Sequence, residues 1–246
     1  PKEPSIEDVE SLIDWRMLLF FWGFRGEALQ QMTVNPEALK TLNEAKATLL
    51  KMKEDKAMEL KLCFEYFNAH RDGNDIVLDN GCHLPMLRSQ NARTNYLSLA
   101  DYFPTTGSTP LGLFCIKAQG TVEYEDQSYE QLMQHALAAR LAEATSEWFQ
   151  KMIYPQENAI RPAFGYASCP DHSIKKIVID LLDAEKKIGV HINEYFSITP
   201  STAICGMVFA HPDARYFPVG KIDDAQLADY SNRRGLSIET LSYLQK

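Results

Sequence analysis

Leu60, Leu62, Phe64 and Tyr66 alternate with Lys61, Cys63 and Glu65, and this period of two restricts the fold more than any other feature of the chain. Successive side chains of an extended strand point to opposite faces, so the run predicts a strand with one face in a core. Asp72-Gly73-Asn74-Asp75 then supplies turn chemistry, and Ile76-Val77-Leu78 returns as a second strand. Such a hairpin makes its two strands antiparallel. Apolar runs at 111–118 and 203–210 predict further strands.

The other patterned segments follow a helical period. Ser5 and Asp8 predict a capping box that opens a first helix, leading through Ile13-Asp14-Trp15 into an apolar helical run up to Trp22. Asn35-Pro36 combines an N-cap with proline at the first helical position. Leu39, Leu42, Ala45, Leu49 and Met52 follow at helical spacing. The longest helix is expected over 128–153, with Leu132, Ala136, Leu137, Leu141, Ala144 and Trp148 as its apolar stripe. Later helices are expected over 173–187, closed by Gly189, over 223–234, closed by Gly235, and from Ser237 onward. Hairpins mixed with long helices, without repeated strand–helix alternation, imply an α+β fold: a twisted, largely antiparallel sheet with flanking long helices. No linker, internal repeat or low-complexity tract divides the 246 residues, so one domain spanning 1–246 is the simplest organisation.

Several function classes are disfavoured at this level. A net charge of -8 leaves no basic excess to displace counterions from nucleic-acid phosphates. The most apolar stretch, 17–24, is bracketed by Arg16 and Arg25 and is too short to span a bilayer. The N-terminus, Pro-Lys-Glu-Pro-Ser, lacks the basic and apolar regions of a signal peptide. Five scattered cysteines form no C-x-x-C pair, which predicts free thiols in a reducing cytoplasm rather than a metal site or disulfide framework.

Two segments invite a functional reading. Asp79-Asn80-Gly81-Cys82-His83 follows a strand and looks like the glycine turn of Rossmann-type methyltransferases. Here His83 stands where the last glycine belongs, and Pro85 where a helix should begin, so a plain turn after a hairpin strand fits better. The second segment is Arg161-Pro162-Ala163-Phe164-Gly165-Tyr166-Ala167-Ser168-Cys169-Pro170-Asp171-His172. Pro162, Gly165 and Pro170 fix its shape, while Arg161 offers a planar fork for a carboxylate and Tyr166 a flat face with a hydroxyl edge. From these residues alone it reads equally as a ligand loop or as a proline-rich crossover with Asp171 capping the next helix.

This twelve-residue segment resembles the signature of the S-adenosylmethionine-binding activation (reactivation) domain of cobalamin-dependent methionine synthase. Ile13-Asp14-Trp15, Leu99-Ala100-Asp101-Tyr102-Phe103, the 138–144 segment, the 209–216 segment and Arg233-Arg234-Gly235-Leu236-Ser237 resemble family segments in the family's order. The resemblance implies binding of S-adenosylmethionine and docking over the cobalamin of a partner domain, in cis or in trans. A flavodoxin-type donor would supply the electron for reductive remethylation of inactive cob(II)alamin. It implies no catalytic residue and no metal on this chain, and an accessory role rather than complete turnover.

Carried over by position, the resemblance assigns the cofactor to Asp14, Glu143, Arg161, Ala163, Tyr216 and Phe217. Arg161 would grip the methionyl carboxylate, Asp14 the ammonium or ribose hydroxyls, and Ala163 would contribute backbone contacts. Tyr166 would face the corrin and His172 would lie near the docked interface. Departures from the pattern are Phe217, where the family has a second tyrosine, a shortened 149–160 connection, and 35–91, which matches only in pattern. Two competing functions are an autonomous methyltransferase on a small acceptor and a non-catalytic corrinoid-protein interaction module. The broken glycine motif argues against the first, and the intact Asp14, Glu143 and Arg161 set against the second.

Overall fold

A computed structural model describes residues 1–120 and 128–245. Ser5 and Asp8 cap each other's backbone, opening α1 (Ile6–Val9). The continuous run expected through Ile13-Asp14-Trp15 is interrupted, because Ile13 is extended and Asp14 restarts the helix as N-cap of α2 (Trp15–Phe21), accepting from the Met17 amide at 3.1 Å. After α3 (Leu29–Met32), Asn35 and Pro36 open α4 (Pro36–Glu54), as the capping signal predicts. The hairpin follows: β1 (Met58–Asp72) and β2 (Asp75–Leu78), with Gly73 at φ +57° in the turn. The 79–83 segment is an ordinary turn into β3 (His83–Pro85), with the Asn80 side chain accepting from the Cys82 amide.

β4 (Thr109–Gly120), α5 (Tyr129–Ile153) and β5 (Ala159–Ile160) come next. The helix expected over 173–187 is split into α6 (Ile174–Leu182) and α7 (Ala184–Ile188) by Asp183, whose φ of +51° breaks the helical path. Gly189, also left-handed, closes α7. There follow β6 (His191–Ile192), β7 (Ile198–Thr199), β8 (Ile204–Ala210), α8 (Asp224–Arg234) and α9 (Ile238–Leu241), the last continued by a 3-10 turn over Ser242–Gln245.

Among the described residues six strands form one sheet in the order β3-β2-β1-β4-β8-β5, and every neighbouring pair is antiparallel. The fold is α+β, as the hairpin and helix pattern implies. Alternation along β4 feeds two separate cores. Phe114, Ile116 and Ala118 join Leu60, Leu62, Ile204 and Val208 under α1, α2, α4 and α5. Leu111, Leu113 and Cys115 join Cys63, Phe67, Cys205, Met207 and Phe209 under α6 to α9. The sheet is thus covered on both faces, where the alternation around residue 60 suggested one core face. Tyr66, expected inside, is exposed in the middle of that strand, opposite Gly112 of β4.

Two helical stripes also shift. Leu39 is exposed and Ala38 buried in its place, while Leu132 is exposed and Phe149 rather than Trp148 is fully buried. α5 packs on β4 and on α1, α2 and α4 at once, so its buried arc is wider than one stripe. The scattered cysteines are free thiols, and among the described residues no helix is long and apolar enough to cross a membrane.

Asp171, fully buried, connects α8 and the residues just past α9 to the loop before α6. Its carboxylate accepts from Tyr243 at 2.6 Å, Tyr230 at 2.7 Å, the Ser173 amide at 2.7 Å and hydroxyl at 2.8 Å, and Arg234 Nε at 3.0 Å. Burial alone would raise its pKa; the hydrogen bonds from Tyr243, Tyr230 and Ser173 and the Arg234 charge bring it below the usual carboxylate range. Arg234→Met leaves this carboxylate without its counter-charge, and the expected loss is about 3–5 kcal/mol. Urea unfolding checks it: the midpoint should fall at constant m-value, and an unchanged midpoint would show that the pair contributes nothing.

Candidate functional site

Past β5 the chain leaves regular structure but stays on the sheet. Pro162 O accepts from the Met207 amide at 3.0 Å, and the Phe164 amide donates to Cys205 O at 2.9 Å. Ala163 thereby lies directly across from Gly206. A Cβ at Gly206 would come within 2.7 Å of Pro162 O and 2.8 Å of the Phe114 ring, so only glycine admits the loop at this depth. The loop then folds on itself. Gly165, at φ +92°, donates to Cys169 O at 2.8 Å, and Cys169 donates back to Tyr166 O at 2.9 Å.

The segment 211–219 forms the second wall. Asn158 Nδ2 binds the carbonyls of His211, Pro212 and Ala214 at 3.1, 2.9 and 3.1 Å. Ser168 Oγ donates to Phe217 O at 2.6 Å and accepts from its amide at 3.1 Å, while the Val219 amide reaches Ala167 O at 2.8 Å. Tyr216, largely exposed, accepts the Arg161 amide on its hydroxyl at 2.9 Å.

α5 is the third wall. Glu143 accepts the Tyr166 hydroxyl at 2.7 Å. Arg161 places Nε on Ser146 at 3.0 Å, one terminal nitrogen on Gln150 at 2.7 Å and the other near Glu147 at 3.3 Å. Partial burial and then the Glu143 carboxylate raise the Tyr166 pKa, so its phenol stays protonated and donates.

The three walls enclose a cavity of about 440 Å³. Glu143, Arg161, Ala163, Tyr166, Tyr216 and Phe217 all line it, with Pro162, Ala167, Ser168 and Pro218. Residues far apart in sequence thus meet on one concave surface of a size that suits a small molecule. One carboxylate and one guanidinium face a mostly apolar interior, and two tyrosine rings flank it. Such a set suits a ligand that carries both charges of an amino acid and a flat ring.

Two expected residues stand elsewhere. Asp14 is the α2 cap and does not line the cavity. His172 packs beneath Gly165, where a Cβ would meet its ring at 2.6 Å, and opens on the other side of the loop. Arg161 also has more structural work than its place beside a proline–alanine bend suggests, since it fastens the loop to α5. Phe217 is almost wholly buried in the sheet core, and it is the backbone of this residue that Ser168 holds. Sequence reasoning missed Gly206, Ser168 and the α5 acceptors Ser146 and Gln150. Of these only Gly206 left a signal, as a glycine inside an apolar strand. Among the described residues no cluster of His, Cys, Asp and Glu could hold a metal ion.

Comparison with known proteins identifies the type of domain. The family described as "Vitamin B12 dependent methionine synthase, activation domain" matches residues 5–235. The chain is also similar to a solved structure, "Crystal Structure of the MetH Reactivation Domain bound to AdoHcy", at 28% identity and a TM-score of 0.84, covering 99% of this chain and 88% of that one.

Gly206→Ala should cost about 1–3 kcal/mol, the usual range for overpacking a well-filled site. Thermal unfolding reads this directly, and wild-type stability in the variant would mean that the loop does not depend on close backbone approach.

Proposed function

This chain belongs to the activation-domain family of vitamin B12 dependent methionine synthase, and from that membership we propose that it binds S-adenosylmethionine in the cavity between α5, the 161–169 loop and the 216–218 segment. What supports this reading above all is the meeting of Glu143, Arg161, Tyr166 and Tyr216 on one cavity of about 440 Å³. A further support is that the similar reactivation domain was solved with AdoHcy, which differs from S-adenosylmethionine by the transferable methyl group.

The residues present fit such a ligand. A guanidinium carries five N–H donors, and three of those of Arg161 are engaged by α5. The remaining two can hold the methionyl carboxylate as a charge-assisted pair. Oε1 of Glu143 serves Tyr166, and its other oxygen can accept the ligand's ammonium. Tyr216 and Phe217 border the ring system and Ala163 offers backbone contacts, while Asp14, the α2 cap, lies outside the cavity lining. Ser146 and Gln150 orient the arginine before the ligand arrives, which lowers the entropy cost of binding.

When bound, the cofactor supplies an electrophilic methyl group for reductive remethylation of inactive cob(II)alamin on the cobalamin-binding domain of methionine synthase, in cis or in trans. The contribution of this chain is placement: it holds the donor in a rigid frame and leaves one end open toward the partner. Tyr166, exposed at the cavity mouth, would face the corrin, and His172 would lie near the docked interface. The electron comes from a flavodoxin-type donor. Residues 1–246 act as one domain, in the cytoplasm, without nucleic-acid or membrane partners.

Calorimetric titration with S-adenosylmethionine tests the binding claim. Wild type should bind, and Arg161→Ala should weaken binding by about 2 kcal/mol or more, as for a hydrogen bond to a charged group. Equal affinity in the two proteins would remove Arg161 from the site. Absence of binding in wild type would remove the cavity.

A further inference from the structure

The loop that walls the candidate site on one side walls a second cavity on the other. This cavity, of about 520 Å³, is lined by His172, Lys175, Tyr195, Ser197, Ser201 and Tyr243, among others, and shares no lining residue with the first. It lies where α6 begins, beneath the β6–β7 hairpin.

Its charge composition is unusual. Lys175 is half-buried, yet no carboxylate lies within ion-pair distance of its ammonium among the described residues; its contact is Nδ1 of His172 at 2.9 Å. A lysine that gives up water normally finds a carboxylate. The buried carboxylate nearest in sequence, Asp171, is already committed to Arg234, Tyr230, Tyr243 and Ser173. Burial first, then the lysine charge, lowers the His172 pKa. The neutral ring therefore accepts from Lys175 on Nδ1 and keeps Nε2–H as a donor. Ser197 and Ser201 add hydroxyls. The rim is also fixed in shape, because Asn193 Oδ1 accepts from the amides of Tyr195 and Ser197, both at 3.0 Å, and Phe196 sits at φ +60°.

A lysine, a histidine and two serines thus line one cavity with no carboxylate among its lining residues. We propose that this second cavity is a binding site for a small oxyanion, a phosphate ester or a carboxylate, held by Lys175 and His172. The proposal stands apart from the reading of the first cavity, since neither site lends the other a residue.

The test is an NMR titration of the His172 ring resonances with inorganic phosphate and, separately, with acetate, at fixed pH and with ionic strength balanced by sodium chloride. The expected result is a saturable shift in wild type for at least one anion. Tighter binding of phosphate assigns the site to phosphate esters, and tighter binding of acetate assigns it to carboxylates. Lys175→Ala should weaken the tighter anion about ten-fold or more, while Lys175→Arg should stay within about three-fold of wild type because its charge remains. Non-saturating shifts in wild type with both anions overturn the proposal, as does an unchanged dissociation constant in a folded Lys175→Ala. The wild-type arms decide the question even if the alanine variant does not fold.

Discussion

Gly206 removes a side chain at the point where the irregular backbone of the 161–169 loop rests on the sheet. Pro162 O and Ala163 Cα occupy the volume that any Cβ would need, and two backbone hydrogen bonds then extend the β8 ladder into the loop. Everything in the candidate site is measured from that seat. With the bend fixed, Arg161 falls against α5, Tyr166 reaches Glu143, and Ser168 meets the Phe217 backbone. A loop held by main-chain contacts on a buried sheet has little freedom to sample other shapes. Its side chains can therefore present a preformed surface rather than one assembled on ligand arrival.

Charge inside that surface is balanced rather than concentrated. Arg161 stands near Glu147, which also pairs with Lys151, while Glu143 stands against a phenol that keeps its proton. A cavity with one sign of charge would repel half of a zwitterion. The bonds that tie the loop to α5 also fix the orientation of the Arg161 guanidinium within the cavity wall.

Local signals were the legible part of the sequence. Ser5 with Asp8, Asn35 with Pro36, the turn around Gly73 and the terminators Gly189 and Gly235 act over a few residues, and the structure uses each as read. The helix breaks at Ile13 and Asp183 were not legible, because they depend on what the flanking helices pack against. Nor was the second core, since alternation around residue 60 cannot tell whether the outward face meets water or α6 and α7. At the candidate site, the twelve-residue loop stood out for its prolines, arginine and tyrosine. Its acceptors on α5 did not, because Ser146 and Gln150 look like ordinary positions on a polar helical flank. Asp171, read as a possible helix cap, serves instead as a buried hub.

That hub gives the chain's last residues a reach beyond their own neighbourhood. Tyr230 and Arg234 on α8 and Tyr243 just past α9 meet one carboxylate, and that carboxylate lies two residues after Cys169, the point where the 161–169 loop closes on itself. Residues 230–243 therefore latch a cavity wall built from a segment some seventy residues earlier. Mispacking there would loosen the 161–172 segment before it disturbed the sheet, because the hub bears on the loop and not on the strand ladder.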